Sequence, residues 1–280
     1  GDEIQYLRRM MEKGEFLSGK GSVSSKDPVE DYMDMISSKI RLSKKLRVGI
    51  DCGNGTASLF AEKFFSRLGV EVYPLYCTSD PSFPNHFPDP VNAENLADLR
   101  ELVLREQLDL GIGFDGDGDR IGVVDDRGNV IFGDMLMILY WREIMPKYPG
   151  STAIVEVKCS EALVDEIKKL GGKPIFYKTG HSLIKAKMRE VGAIFTGEMS
   201  GHMFFADEYY GFDDAFYAAA RLLRILSNTD SKLSELLSDV PKYFSTPELR
   251  IPCPDEEKFD KVLAVKRYFE GKYPIIDVDG

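Results

Sequence analysis

Three aspartates alternate with glycines in Gly113-Phe114-Asp115-Gly116-Asp117-Gly118-Asp119-Arg120, directly after an apolar run. Glycine brings no side-chain clash, so such a loop can turn while carboxylates at i, i+2 and i+4 converge on one point. Three ionised carboxylates at one point repel one another unless a divalent cation neutralises them. An all-oxygen donor set favours Mg²⁺, Mn²⁺ or Ca²⁺ over zinc. The plainer alternative is an exposed acidic turn, which the glycine alternation argues against. An EF-hand would place Asp115, Asp117, Asp119 and Asp126 at loop positions 1, 3, 5 and 12. It needs glycine where Arg120 stands, and helices on both sides where the flanks read as strands. A phosphatase with an aspartyl nucleophile would use one of the three as the attacking group and leave the third aspartate and Arg120 without a role. Beside a metal, Arg120 is a guanidinium fork suited to phosphate.

Two further stretches carry polar groups that a core would not need. In Thr196-Gly197-Glu198-Met199-Ser200-Gly201-His202, the side chains of Glu198, Ser200 and His202 alternate on a glycine-flanked loop. A carboxylate and a hydroxyl side by side suit vicinal sugar hydroxyls, although alone the segment could be a solvated turn. In Lys178-Thr179-Gly180-His181, with Lys158 at the end of the preceding strand, Gly180 and His181 enter a helix. That pattern alone could be a simple cap.

The elements that must position these loops follow βαβ grammar. A short helix over residues 4–11 and a glycine- and serine-rich linker precede a helix over 27–42. Then come a strand at 47–51, a helix at 56–68 closed by Gly69 and a strand at 70–75. After a proline-rich loop, a helix at 93–107 leads to a strand at 108–114, and 121–125 with 130–132 reads as a hairpin. A second unit repeats the grammar: helix 134–145, strand 152–158, helix 160–170, strand 173–178, helix 182–190, strand 193–196, helices 213–227 and 232–237. Each unit has a strand, a cysteine (Cys52 or Cys159), a helix, Leu-Gly and a strand, a weak internal repeat. The expected fold is α/β: two similar three-layer α/β/α domains with mixed, mainly parallel sheets. Asp115 and Glu198 should then sit at strand ends facing one cleft. After Tyr243, a helix at 256–270 and a strand at 274–278 look like the truncated start of a further α+β domain. The turn Asp51-Cys52-Gly53-Asn54-Gly55 reads as a tight strand-to-helix connection.

Composition sets the bounds. Of 280 residues, 36 are Lys or Arg and 46 are Asp or Glu, a formal charge of −10 with no long basic run, which argues against a nucleic-acid partner. Hydrophobic residues at 43% and charged residues at 29% exclude wholesale disorder. No apolar run approaches the ~20 residues needed to span a bilayer, so no membrane partner is expected. The four cysteines, Cys52, Cys77, Cys159 and Cys253, lie far apart and form no CxxC pair. They read as reduced structural thiols in the cytoplasm, without a zinc site. The chain starts at Gly1 with no signal-peptide pattern and no initiator Met, and it is expected to be a piece of something longer.

Taken together, GFDGDGDR followed by VKCS, KTGHSLIK and GEMSGHMFF resembles the α-D-phosphohexomutases, specifically their bacterial phosphomannomutase/phosphoglucomutase branch. The resemblance covers residues 27 to 240 and runs into the tail. It implies four domains around a cleft and a phosphoserine that exchanges phosphoryl groups with hexose 1- and 6-phosphates of glucose or mannose. It implies Asp115, Asp117 and Asp119 as Mg²⁺ ligands and Arg120 as a phosphate or sugar contact. Glu198 and Ser200 would hold sugar hydroxyls; Lys158, Gly180, His181 and His202 would line the cleft, with Arg120, Lys158, His181 and His202 as the catalytic candidates. On this reading residues 1–26 are a remnant of domain 1, 27–130 domain 2, 131–242 domain 3, and 243–280 an incomplete domain 4. The family's Thr/Ser-Ala-Ser-His-Asn-Pro serine loop and its Arg-x-Ser-x-Thr phosphate loop are absent, and Ser22, Ser24 and Ser25 lack the His-Asn-Pro context. The chain alone is therefore expected to be an inactive fragment. The alternative is a naturally short, non-catalytic protein that binds Mg²⁺ or sugar phosphate.

Overall fold

The computed structural model describes residues 2–244 and 251–279. Helix α1 (Asp2–Lys13) buries no residue, whereas α2 (Val29–Lys39) enters the core through Met33 and Ile36. The helix expected over 27–42 starts late because the Asp27 carboxylate accepts from the Val29 amide at 3.0 Å, and it stops where Ile40 turns extended.

The first unit comprises β1 (Arg47–Asp51), α3 (Ala61–Arg67), β2 (Glu71–Leu75), α4 (Ala97–Glu106), β3 (Leu110–Phe114), β4 (Ile121–Asp125) and β5 (Val130–Ile131). Its sheet has the order β2-β1-β3-β4-β5, with β1 parallel to β2 and β3, and only β4 running against the rest. Gly111 and Gly113 bring α4 directly onto the backbone: a Cβ at either would lie 2.8 Å from Leu99 or Leu96. The opposite face carries Ile50, Ile112 and Phe114 against Met33, Phe64 and Phe65 of α2 and α3, which completes three layers. The helix expected at 56–68 is broken at Phe60 (φ −152°), with a tight turn over Thr56–Leu59 before it. The Thr56 amide is taken by the Gly116 carbonyl at 3.0 Å, and Phe60 stacks on Phe216 at 4.5 Å, so neither end can follow one helix axis.

The second unit comprises α5 (Gly133–Ile144), β6 (Thr152–Glu156), α6 (Glu161–Lys169), β7 (Lys173–Tyr177), α7 (His181–Val191), β8 (Phe195–Gly197), β9 (Met203–Phe205), α8 (Ala215–Ser227) and α9 (Leu233–Leu236). Strands β6 and β7 are parallel and β8 and β9 antiparallel; Thr196 Oγ1 donates to the Ile154 carbonyl at 2.7 Å and ties β8 to β6. Helices α5 and α8 are buried along most of their length around Trp141, Tyr140 and Tyr217. Arg221 of α8, 0% exposed, is compensated by Glu143 at 2.7 Å and Asp207 at 3.0 Å. The units share one core: Phe216 of α8 stacks on Phe60 and Phe114 at 4.5 and 4.7 Å and meets Phe64 edge-on at 5.2 Å.

Two sequence expectations need correction. Residues 274–278 do not form a strand, because among the described residues no strand lies beside them to complete a ladder; α10 (Lys258–Phe269) likewise buries no residue. The cysteines are not all apart. Parallel pairing of β1 with β2 brings Cys52 Sγ to 3.2 Å from Cys77 Sγ. Among the described residues no helix is long and apolar enough to cross a membrane.

Candidate functional site

Asp115 follows β3 immediately and is buried, and the loop is organised around it. Its Oδ1 accepts the amides of Gly118, Asp119 and Arg120, each at 3.0 Å, and its Oδ2 accepts Arg120 Nε at 2.7 Å. Gly118 takes the positive φ of +80° that closes the turn. Arg120 Nη1 also reaches Asp89 of the proline-rich loop at 3.0 Å, while Nη2 makes no hydrogen bond among the described residues. Asp117 is exposed and Asp119 half-buried, and one carboxylate oxygen from each of the three aspartates lies within 4.8 Å of the others. Burial pushes the Asp115 carboxyl up, against the pull of the Arg120 amide and guanidinium. The cluster is short of positive charge, its donors are all oxygen, and Oδ2 of Asp115 keeps a lone pair; these features fit a hard divalent cation. The flanks are strands, and Asp126 accepts the Ser234 amide at 2.9 Å, so it takes no part in an EF-hand.

The loop between β8 and β9 packs against this one. The Ile121 amide donates to the Gly201 carbonyl at 3.2 Å, and Arg120 and His202 form an antiparallel bridge. Gly201 permits that approach: its φ is +95°, and a Cβ there would lie 2.5 Å from the Ile121 carbonyl oxygen. His202 lies between carboxylates of both loops, with Nε2 at 3.3 Å from Asp119 Oδ1 and Nδ1 at 2.9 Å from Glu198 Oε2. Burial would lower the imidazole pKa, but the bonds to Asp119 and Glu198 outweigh it and push it to about 9. Burial likewise works to raise Glu198, and its bonds to His202 and the Gly180 amide bring it below its ordinary value. Ser200 Oγ sits 3.0 Å from His202 Nδ1.

The Gly180 amide, at the start of α7, donates to Glu198 Oε1 at 2.8 Å, and the His181 ring stacks on His202 with centroids 5.4 Å apart. Thus Asp119, Arg120, Gly180, His181, Glu198, Ser200 and His202 form one connected group. Lys158 joins it only through Glu156, whose Oε1 lies 3.6 Å from its Nζ. Glu156, fully buried, also accepts Thr179 Oγ1 at 2.7 Å and the Met199 amide at 2.9 Å, so it braces both loops. Sequence reasoning missed Glu156, although a carboxylate ending the apolar strand Thr-Ala-Ile-Val-Glu was a usable signal. It also missed Asp89, and Asp213, which accepts from Lys185 at 2.7 Å and lies 3.1 Å from His181 Nδ1.

Comparison with known proteins gives a consistent picture. A family model described as phosphoglucomutase/phosphomannomutase, alpha/beta/alpha domain II, matches residues 30–128, and its domain III counterpart matches 132–244. The chain is 44% identical over 280 residues to a phosphomannomutase/phosphoglucomutase of Pseudomonas aeruginosa and 43% identical over 285 to a phosphoglucomutase of Neisseria gonorrhoeae. The whole chain is covered in both cases, but only 60% and 62% of the relatives, so it spans about three fifths of their length. A crystal structure of a phosphoglucomutase/phosphomannomutase family protein from Burkholderia thailandensis superposes with a TM-score of 0.92 at 41% identity, covering 100% of this chain and 60% of that one.

Proposed function

Since the chain belongs to the phosphoglucomutase/phosphomannomutase family, we propose that its two loops are the metal and sugar half of a phosphohexomutase site. The substrates of the whole enzyme would be hexose 1- and 6-phosphates of glucose or mannose, interconverted through a phosphoserine and a bisphosphorylated sugar. The observation that carries this reading is His202, which joins the aspartate loop to Glu198 at 3.3 and 2.9 Å. A phosphoryl group at the first loop and sugar hydroxyls at the second would then lie in one pocket.

Asp115, Asp117 and Asp119 would hold Mg²⁺, which when bound neutralises charge on a phosphoryl group in transit. The free Nη2 of Arg120 offers two donors to a phosphate oxygen, and its bonds to Asp115 and Asp89 hold the fork in place. Glu198 and Ser200 would accept and donate to sugar hydroxyls, with His202 fixing the carboxylate and the Gly180 amide fixing its other oxygen. His181 stacks behind His202, and Lys158 would supply positive charge at the edge of the pocket.

In this reading residues 27–130 and 131–242 are the second and third of the family's four domains. The helices α1 and α10, which bury nothing here, would pack in neighbouring domains. The free thiols suit the reducing cytoplasm. No serine among the 280 residues lies in the expected relay motif, so this chain alone should not turn over. A coupled assay with glucose 1-phosphate and a trace of the 1,6-bisphosphate tests the claim. Turnover that depends on Asp115, in protein of verified mass, would overturn it. Calorimetry tests the site: Mg²⁺ should bind, and Asp117→Ala should abolish binding. Unchanged binding in that variant would refute the metal assignment.

A further inference from the structure

The turn that follows β1 connects two features not expected to be linked. On one side is the Cys52–Cys77 pair. Cys52 is 0% exposed, Cys77 is half-buried, and their sulfurs are 3.2 Å apart, inside van der Waals contact. On the other side is the aspartate loop, whose Gly116 carbonyl accepts from Thr56 N at 3.0 Å and Thr56 Oγ1 at 3.2 Å. Between them, residues 53–55 have no slack. A Cβ on Gly55 would lie 2.9 Å from the Gly116 oxygen, and the Asn54 amide is held by the Tyr76 carbonyl at 3.0 Å.

We propose that Cys52 and Cys77 are an oxidant-responsive dithiol that closes to an intramolecular disulfide, and that closure loosens the aspartate loop seated on the same turn. The consequence for cation binding rests on the metal reading above; the disulfide and the loosening do not. The two thiols are unequal. The hydrogen bond with Cys52 draws the Cys77 thiol down, and the same pairing together with burial drives Cys52 up. Cys77 is thus both the more acidic and the more accessible sulfur, and the thiolate is the form that reacts.

With hydrogen peroxide as oxidant, the Cys77 thiolate attacks one oxygen, the O–O bond breaks, and the departing hydroxide takes a proton to become water. Cys77 is then a sulfenic acid. Cys52 sulfur next attacks Cys77 sulfur, the S–O bond breaks, and the hydroxyl leaves as water with the Cys52 proton. Overall, two thiols and one peroxide give one disulfide and two waters. To form a bond of about 2.05 Å the sulfurs must approach by roughly 1.1 Å from their 3.2 Å contact. Cys52 sits one residue before the tight segment, so that movement is passed to the Thr56–Gly116 contact.

The test uses the chain with chelator present, so that bound cations do not enter. After brief peroxide treatment the intact mass should fall by two hydrogen atoms, and a phosphine reductant should restore it. Alkylation of the oxidised chain in denaturant without reductant should label Cys159 and Cys253 alone, and one cross-linked peptide should join Cys52 to Cys77. In the oxidised chain the Gly118, Asp119 and Arg120 amides should exchange about tenfold faster or more, with no such change in peroxide-treated Cys77→Ser. Stepwise addition of oxygen at Cys77 without a cross-link, or a link to Cys159 or Cys253, would overturn the assignment. A complete Cys52–Cys77 disulfide with unchanged exchange in those three amides would overturn the coupling.

Discussion

Replacing Asp115 by alanine removes more than a metal ligand. Its carboxylate accepts three backbone amides at 3.0 Å and Arg120 Nε at 2.7 Å, all around a buried side chain. Removing one partner of a buried, hydrogen-bonded ion pair costs about 3–5 kcal/mol. The Arg120 side chain is 26% exposed and can recover some hydration, which places the expected loss at the lower end, about 3 kcal/mol. Asp117 is exposed and makes no hydrogen bond among the described residues, so Asp117→Ala should change stability by less than about 0.5 kcal/mol. Urea unfolding of both variants in excess chelator isolates this difference from metal binding. Both should lose Mg²⁺ affinity by calorimetry, yet only Asp115→Ala should lose stability. If the two unfold at the same urea concentration in chelator, the hydrogen-bond account of the loop is wrong.

Three further outcomes follow from the same geometry. Gly201→Ala should part the two loops, because its Cβ would lie 2.5 Å from the Ile121 oxygen; the Ile121 amide, which donates to the carbonyl of residue 201, should exchange faster in the variant while the strands hold. Phe216→Ala should cost about 3–5 kcal/mol in urea unfolding and reduce the cooperativity between the two units, since that ring joins them. Burial works to raise Glu208, but Arg224 at 2.7 Å and Lys147 at 3.1 Å hold it at about 2, below its ordinary 4.5. Its depressed folded pKa stabilises the fold above about pH 4.5, and that contribution is lost as pH falls towards 2. Glu208→Gln should therefore flatten the acid limb of stability between those values, and an unchanged limb would contradict it.

What was legible in the sequence was local. Apolar runs bounded by turn residues located β1, β3 and β4, and alternation of aspartate with glycine located the first loop, because each signal lies within ten residues. That the two loops would face one cleft followed from their places at strand ends, but the individual contacts between distant segments were not legible. Asp119 and His202 meet only because β4 and the β8–β9 turn lie side by side, and nothing near either residue encodes that approach. Cys52 and Cys77, far apart along the chain with no CxxC signal, became neighbours through strand pairing. Phe60 reads as an ordinary helical residue until Phe216 packs on it, which is why the single helix expected there is two pieces. The strand expected at 274–278 failed for the complementary reason: its pattern suits a strand, but a strand needs a neighbour.

The most direct test of a single shared site is the thermodynamic coupling between cation and phosphosugar. Glucose 1-phosphate is titrated into the chain by calorimetry with and without saturating Mg²⁺, and again into Glu198→Gln. If the two loops form one site, Mg²⁺ should tighten phosphosugar binding by about fivefold or more, with the reciprocal effect on Mg²⁺. Glu198→Gln should weaken the sugar and leave Mg²⁺ affinity in its absence unchanged. Equal phosphosugar affinity with and without Mg²⁺, or no effect of Glu198→Gln on it, would contradict the account.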